Sequence, residues 1–260
     1  MNLRTHQRER SEELRELAGL LVQADLTPDA SPLYAAAAAC FETPRRSAGG
    51  QPGQERPYWG YDVSNLEIRL GDLRHLRPRG GCESGLSGLL SVSVQEFIPN
   101  EDDCSFEDLF TSIRSIGVDF HCESFVASET DLIETVKAAW HLDTHMFLDV
   151  DSHSVHPRFH FQFGGRALDG SPLSGILLTE EPRIAHPPLD AILAVDFVLS
   201  HYCGKSWKEQ RDNDERYTRL VSPAFGRYWK TYHKQLYTLL SGTLEVDLFD
   251  SARALAPNIC

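Results

Sequence analysis

HMFLDVDSHSVHPRFHFQF, residues 145–163, is the stretch on which the fold turns. In its first part Met146, Leu148 and Val150 alternate with Phe147, Asp149 and Asp151. In its last part Phe159, Phe161 and Phe163 alternate with Arg158, His160 and Gln162. Successive side chains of a strand point to opposite faces, so this period of two predicts two half-buried strands. The polar SHSVHP between them, closed by Pro157, predicts a hairpin loop. With Asp151 opposite Arg158, Asp149 faces His160, and Val150 and Leu148 meet Phe159 and Phe161. A slip of one residue would set carboxylates against phenyl rings. Asp149, Asp151, Arg158 and His160 are therefore expected as one polar patch on a sheet face.

Downstream, Gly164 and Gly165 permit a turn and Ser174–Thr179 reads as a short buried strand. PRIAHPP (182–188) reads as a stiff extended loop, with Pro188 suited to the first turn of a helix over 189–202. Leu189, Ile192, Leu193, Phe197 and Leu199 form the apolar stripe of that helix, and Asp196 falls inside the stripe. A carboxylate on a core face needs a donor or a shifted pKa. Arg183, His186 and His160 are its expected partners.

Upstream, alternation predicts strands at Leu66–Leu70 and Leu90–Val94. Ser105 is read as the cap of a helix with Phe106, Leu109, Phe110, Ile113 and Ile116 on one face, ended by Gly117. Val118–Phe125 is read as a strand. A helix starting at Thr130 or Asp131 carries Leu132, Ile133, Val136 and Trp140. Residues 1–42 read as a helical arm, docked on the main body or on a partner. Residues 43–57, rich in Pro, Gly and Arg, read as a flexible linker. The main domain spans 58–245 and the tail 246–260. Lys205–Leu220 reads as a surface helix, and Ser222-Pro223 as the opening of a last helix with an aromatic stripe from Phe225 to Tyr237. The expected class is α+β, with a mainly antiparallel sheet and helices largely on one face.

The 260 residues carry a net charge of −13. Extended nucleic acid is not indicated by that balance, although a local basic groove remains compatible with it. Six cysteines include no C-x-x-C pair, so neither a zinc ribbon nor a redox motif is present, and they are expected as small core residues. Without an apolar signal segment or a membrane-length run, a cytoplasmic location is expected.

His141, His145, His153, His156 and His160 fall within twenty residues, interleaved with Asp143, Asp149 and Asp151. Imidazoles and carboxylates in this density suit a divalent metal or general base chemistry. HLDTH (141–145) lacks the glutamate of a metalloprotease helix. No phosphate loop, dinucleotide fingerprint or G-x-S-x-G elbow occurs. HPRFHFQFGG (156–165), followed by PRI (182–184) and an apolar helix, resembles a strand–loop–helix pattern of bacterial proteins associated with mobile elements or phage defence. That resemblance implies a bacterial accessory or defence role and carries no catalytic assignment.

Two functions are expected in competition. One is a non-catalytic subunit or adaptor of a bacterial complex, held through the N-terminal arm or the aromatic C-terminal helix. The other is a hydrolase acting on a nucleotide or phosphodiester. In it His160, Asp149 and Asp196 are catalytic, and Arg158, Arg183 and His186 bind substrate. His156, His160 and Asp149 hold the metal.

Overall fold

Seven strands pair in the order in which they occur along the chain, every pair antiparallel. The computed structural model describes residues 3–46, 57–70, 86–98, 112–127, 133–144, 157, 159–164 and 184–241. Two helices come first, α1 (Leu3–Gln23) and α2 (Ser31–Ala39). The sheet follows: β1 (Arg45–Arg46), β2 (Pro57–Arg69), β3 (Ser87–Phe97), β4 (Ile113–Ala127), β5 (Ile133–Thr144), β6 (Phe159–Phe163) and β7 (Ile184–Ala185). Then come α3 (Ala191–Tyr202), α4 (Gly204–Asn213), α5 (Glu215–Phe225), a π-helical turn (Gly226–Lys230) and α6 (Thr231–Leu240). This is an α+β protein. Among the described residues no helix is long and apolar enough to cross a membrane.

One face of the sheet forms the core. Tyr61, Val63, Leu66 and Ile68 of β2 meet Leu90, Val92 and Val94 of β3, then Ile116, Val118 and Phe120 of β4, and Trp140 and Leu142 of β5. Leu14, Leu17 and Leu21 of α1, and Ile192, Val195 and Leu199 of α3, close over them. The stretch expected as an arm is docked on the body. Arg227 reaches Glu13 at 3.0 Å, and Arg216 reaches Gln23 at 2.8 Å. Within the expected linker, Arg45 and Arg46 pair with Tyr58 and Pro57.

Two expected helices are strands where they are described. Ile113 and Ile116 suggest a helical spacing of three, yet both are core residues of β4. A register shift between Gln95 and Glu96 supplies the reason: Gln95 pairs with Ser115 and Glu96 with Ile113. A bulge inserts one residue and turns a period of two into a local period of three. The expected helix from 130 is β5, in which Trp140 and Leu142 are buried on alternate positions.

Two helix starts also differ from expectation. Pro188 lies before α3 rather than in its first turn, because the Asp190 carboxylate caps the helix by accepting from the Leu193 N–H at 3.0 Å. Pro223 lies inside α5 and opens no helix. Cys40, Cys122 and Cys203 are free and buried, as small core residues should be.

Candidate metal centre

β5 is built of HLDT at its end, and a strand places residues two apart on one face. His141 and Asp143 therefore share the outer face, while Trp140 and Leu142 face the core. β6 then sets His160 directly opposite Asp143, and Phe161 opposite Leu142. Three side chains from two strands converge as a result. His160 Nε2 lies 2.9 Å from Asp143 Oδ1, and His141 Nε2 lies 3.8 Å from Asp143 Oδ2. One ligand atom from each residue falls within 4.8 Å of the others.

Depth is graded across the trio. The His160 side chain is 1% exposed, that of His141 20% and that of Asp143 43%. The site thus has a buried floor and a solvent-facing side. On the next strand Asp143 pairs with Gly117, beside which a Cβ would meet open space. His141 is flanked in register by Asp119 and Gln162.

The second nitrogen of His160 supplies an independent indication. Nδ1 lies 3.2 Å from the Pro157 carbonyl oxygen. A carbonyl can only accept, so Nδ1 carries the proton and donates it. A histidine that donates one ring N–H to a backbone carbonyl has its tautomer fixed with Nε2 available as a ligand. Two imidazoles and one carboxylate suit zinc, or another divalent ion of intermediate softness. Ligands bound at about 2.1 Å stand roughly 3–3.4 Å apart. The His160–Asp143 edge already meets that spacing, and a small rotation of the partly exposed His141 closes the rest.

Among the residues expected in the site, His160 is at its centre. Asp143 takes the position opposite His160 that the expected hairpin gave to Asp149. Asp149, His156, Arg158 and Arg183 lie outside the described residues. His186 follows Ala185, the register partner of His160, and so falls on the core face. There it packs near Phe161, Phe197 and Trp229, with ring centroids 5.5–6.0 Å away. Burial holds its imidazole below the ordinary range, against a 2.6 Å contact with the Pro187 carbonyl. Asp196 accepts from Trp207 Nε1 and the Tyr217 hydroxyl, both at 2.8 Å. It ties three helices together, apart from the trio.

A second polar cluster, not anticipated from the sequence, lies inside the core. Glu96 accepts from the Tyr228 hydroxyl at 2.8 Å and meets His6 Nε2 at 2.8 Å. Glu13 accepts from Arg10 at 2.6 Å and from both terminal nitrogens of Arg227 at 3.0 Å, and Arg227 also reaches Asp190 at 3.3 Å. Burial pushes the Glu13 carboxyl up to about 8 despite Arg10. It pushes Asp190 up to about 6 despite the Leu193 N–H and Arg10. Burial also acts on Glu96, but His6, Tyr228 and Arg10 together hold that carboxyl below its ordinary range. Glu96 was legible in principle, since it continues the core phase of Leu90, Val92 and Val94. His6 and Arg10 likewise continue the stripe of Leu14 and Leu17 along α1.

Comparison with protein-family models, with curated proteins and with solved structures gave no match.

Proposed function

We propose that this protein binds one divalent metal ion through His141, Asp143 and His160 and acts as a metal-dependent hydrolase of phosphate esters. The observation that carries this reading is the trio, with the proton of His160 Nδ1 given to the Pro157 carbonyl. A divalent ion held by three protein ligands supplies Lewis acidity toward a water or a phosphoryl oxygen. His160 fixes the floor of the site, Asp143 supplies the compensating charge, and the space beside Gly117 admits a ligand from solvent. The phosphate-ester class rests on Arg158 and Arg183, which flank β6 and β7 in the sequence.

Metal content decides the first step. The purified chain is dialysed against zinc or manganese, freed of excess ion and analysed for bound metal. One equivalent is expected in the parent, with most of it lost in His160→Ala and Asp143→Asn variants that keep the parent far-ultraviolet circular dichroism. A parent that retains no metal above a non-binding control overturns the reading. Hydrolysis of bis-p-nitrophenyl phosphate by the loaded protein tests the second step.

A second reading, a non-catalytic subunit of a bacterial complex with a role in defence or mobile-element biology, is favoured by the C-terminal helices. Phe225 is 46% exposed and Tyr237 75% exposed, and Trp229 is 5.3 Å from Phe225 between ring centroids. Aromatic side chains in this arrangement suit an interface. Native mass spectrometry of the complex purified from its source, with and without Phe225→Ser and Tyr237→Ser, tests this reading.

A further inference from the structure

A cavity of about 700 Å³ opens between the first two turns of α1 and residues 41–44. It lies on the helix side of the molecule, next to β1 and β2. The His141–Asp143–His160 trio is on the opposite face of the sheet, three to four strands away. The two sites are therefore separate, and a ligand in the cavity requires no hydrolysis at the trio.

Three features of the lining point to one ligand class. The first is Gln7, which lines the cavity although it is only 5% exposed. Its amide has no hydrogen-bond partner among the described residues. An amide offers two donors and an acceptor, and leaving such groups unmet at a buried position is costly. The second is charge. Arg4 and Arg8 line the cavity one helical turn apart, at the N-terminal end of a 21-residue helix, where the helix dipole also favours anions. Arg8 meets Glu12 at 3.9 Å with both side chains more than 60% exposed, a weak pairing that an anion can displace. Glu42, on the opposite wall, is neutralised by Arg45 at 2.9 Å. In a chain of net charge −13 this is a local basic pocket. The third is Phe41, 55% exposed in the cavity wall, with Pro44 and Leu3 adding apolar surface. A volume in this range suits a small ligand.

The geometry points to a mononucleotide site. The phosphate lies against Arg8, Arg4 and the N-terminal end of α1, the base stacks on Phe41, and the Gln7 amide pairs with the base edge. Stacking on an aromatic side chain tolerates any base, whereas an amide distinguishes donor from acceptor edges.

Calorimetric titration of the full chain with adenosine 5′-monophosphate tests this, with adenosine and inorganic phosphate as parallel ligands. Binding of the nucleotide is expected, tighter than either fragment. Arg8→Ala, Phe41→Ala and Gln7→Leu are each expected to weaken it by about tenfold or more. Arg8 and Phe41 are exposed, so their variants keep the parent melting temperature and report on the site rather than on folding. His160→Ala is expected to bind the nucleotide as the parent does. No heat at millimolar nucleotide overturns the assignment. Equal binding of phosphate and nucleotide, unaffected by Phe41→Ala, overturns the base contact and with it the nucleotide class. Loss of binding in His160→Ala alone moves the ligand to the other face and overturns the cavity as its site. Failure of metal binding at the trio leaves this result unaffected, so the two readings fail separately.

Discussion

His6 and Glu96, ninety positions apart in the chain, meet at 2.8 Å with both side chains almost wholly buried. The other carboxylate oxygen takes the Tyr228 hydroxyl, so one acid fastens α1, β3 and the π turn. Removing one partner from a buried charged contact leaves the other unmet. Glu96→Ala is expected to cost about 3–5 kcal/mol, and His6→Ala somewhat less. Urea denaturation of the single and double variants checks this. The double variant is expected to cost less than the sum, and simple additivity would show that the two groups do not interact.

Glu13 and Asp190 set the pH dependence of stability. Both carboxyls are raised on folding by burial, to about 8 and about 6. A carboxyl that rises on folding holds its proton more tightly in the folded chain. Its contribution is fully present below the unfolded value and is lost as pH climbs through the folded one. Stability is therefore expected to fall between roughly pH 4.5 and pH 8, by an amount on the order of 1–2 kcal/mol. Glu96 has the opposite sign: its carboxyl is held low, so its contribution is present above its ordinary range and lost in acid. Denaturation midpoints across this range, for the parent and for Glu13→Gln, decide the matter. A slope that persists unchanged in the variant removes Glu13 as its source.

Asp196 joins α3 to α4 and α5 through the Trp207 indole and the Tyr217 hydroxyl. Asp196→Ala strands both donors and is expected to cost about 2–3 kcal/mol, while Tyr217→Phe costs about 1 kcal/mol. Metal retention should be unchanged in both, since neither residue touches the trio. A variant that melts like the parent would show that these contacts add no stability.

Gly88 lies against the ring of Phe120, where an added Cβ would come within 2.3 Å. That ring is itself held between Trp140 and Tyr202, with centroids 5.3 and 5.0 Å away. Gly88→Ala is expected to cost about 1–3 kcal/mol, with partial recovery when Phe120→Leu is added. Gly60 differs in kind, because its Cβ would strike the Val94 carbonyl oxygen at 2.1 Å. Gly60→Ala should therefore be the more damaging of the two, and Phe120→Leu should not rescue it. Thermal melts of the four variants separate the cases.

The legible parts of the fold were those where local pattern and tertiary role agree. Leu66, Ile68 and Leu70 alternate because one face of β2 is buried, and Leu90, Val92 and Val94 do so on β3. The illegible parts were those where the pattern was distorted. Ile113 and Ile116 bracket a bulge and so imitate a helix. Ala138 and Ala139, on opposite faces of β5, flatten the alternation that Trp140 and Leu142 would otherwise display. With β5 read as a helix, His141 and Asp143 could not be placed on one face, and the trio dissolved into a general abundance of histidine. His160 was identifiable because β6 alternates cleanly. Asp196 was identifiable as a carboxylate needing partners, but its donors, Trp207 and Tyr217, lie on helices whose packing no local pattern encodes.

The ionic groups of α1 have an unusual schedule. Glu13 is translated with Arg10 beside it, yet Arg227 follows 214 residues later, and Tyr228 follows Glu96 by 132. On the ribosome the first helix is thus among the earliest segments to emerge and among the last to be locked in place. A chain halted short of residue 227 carries the same apolar stripe on α1 but has lost the cation and the hydroxyl that answer its buried acids. Such an intermediate is held by hydrophobic contact alone, and completion of the π turn converts it into the finished protein. The five residues of that turn therefore act as a latch on the whole N-terminal layer.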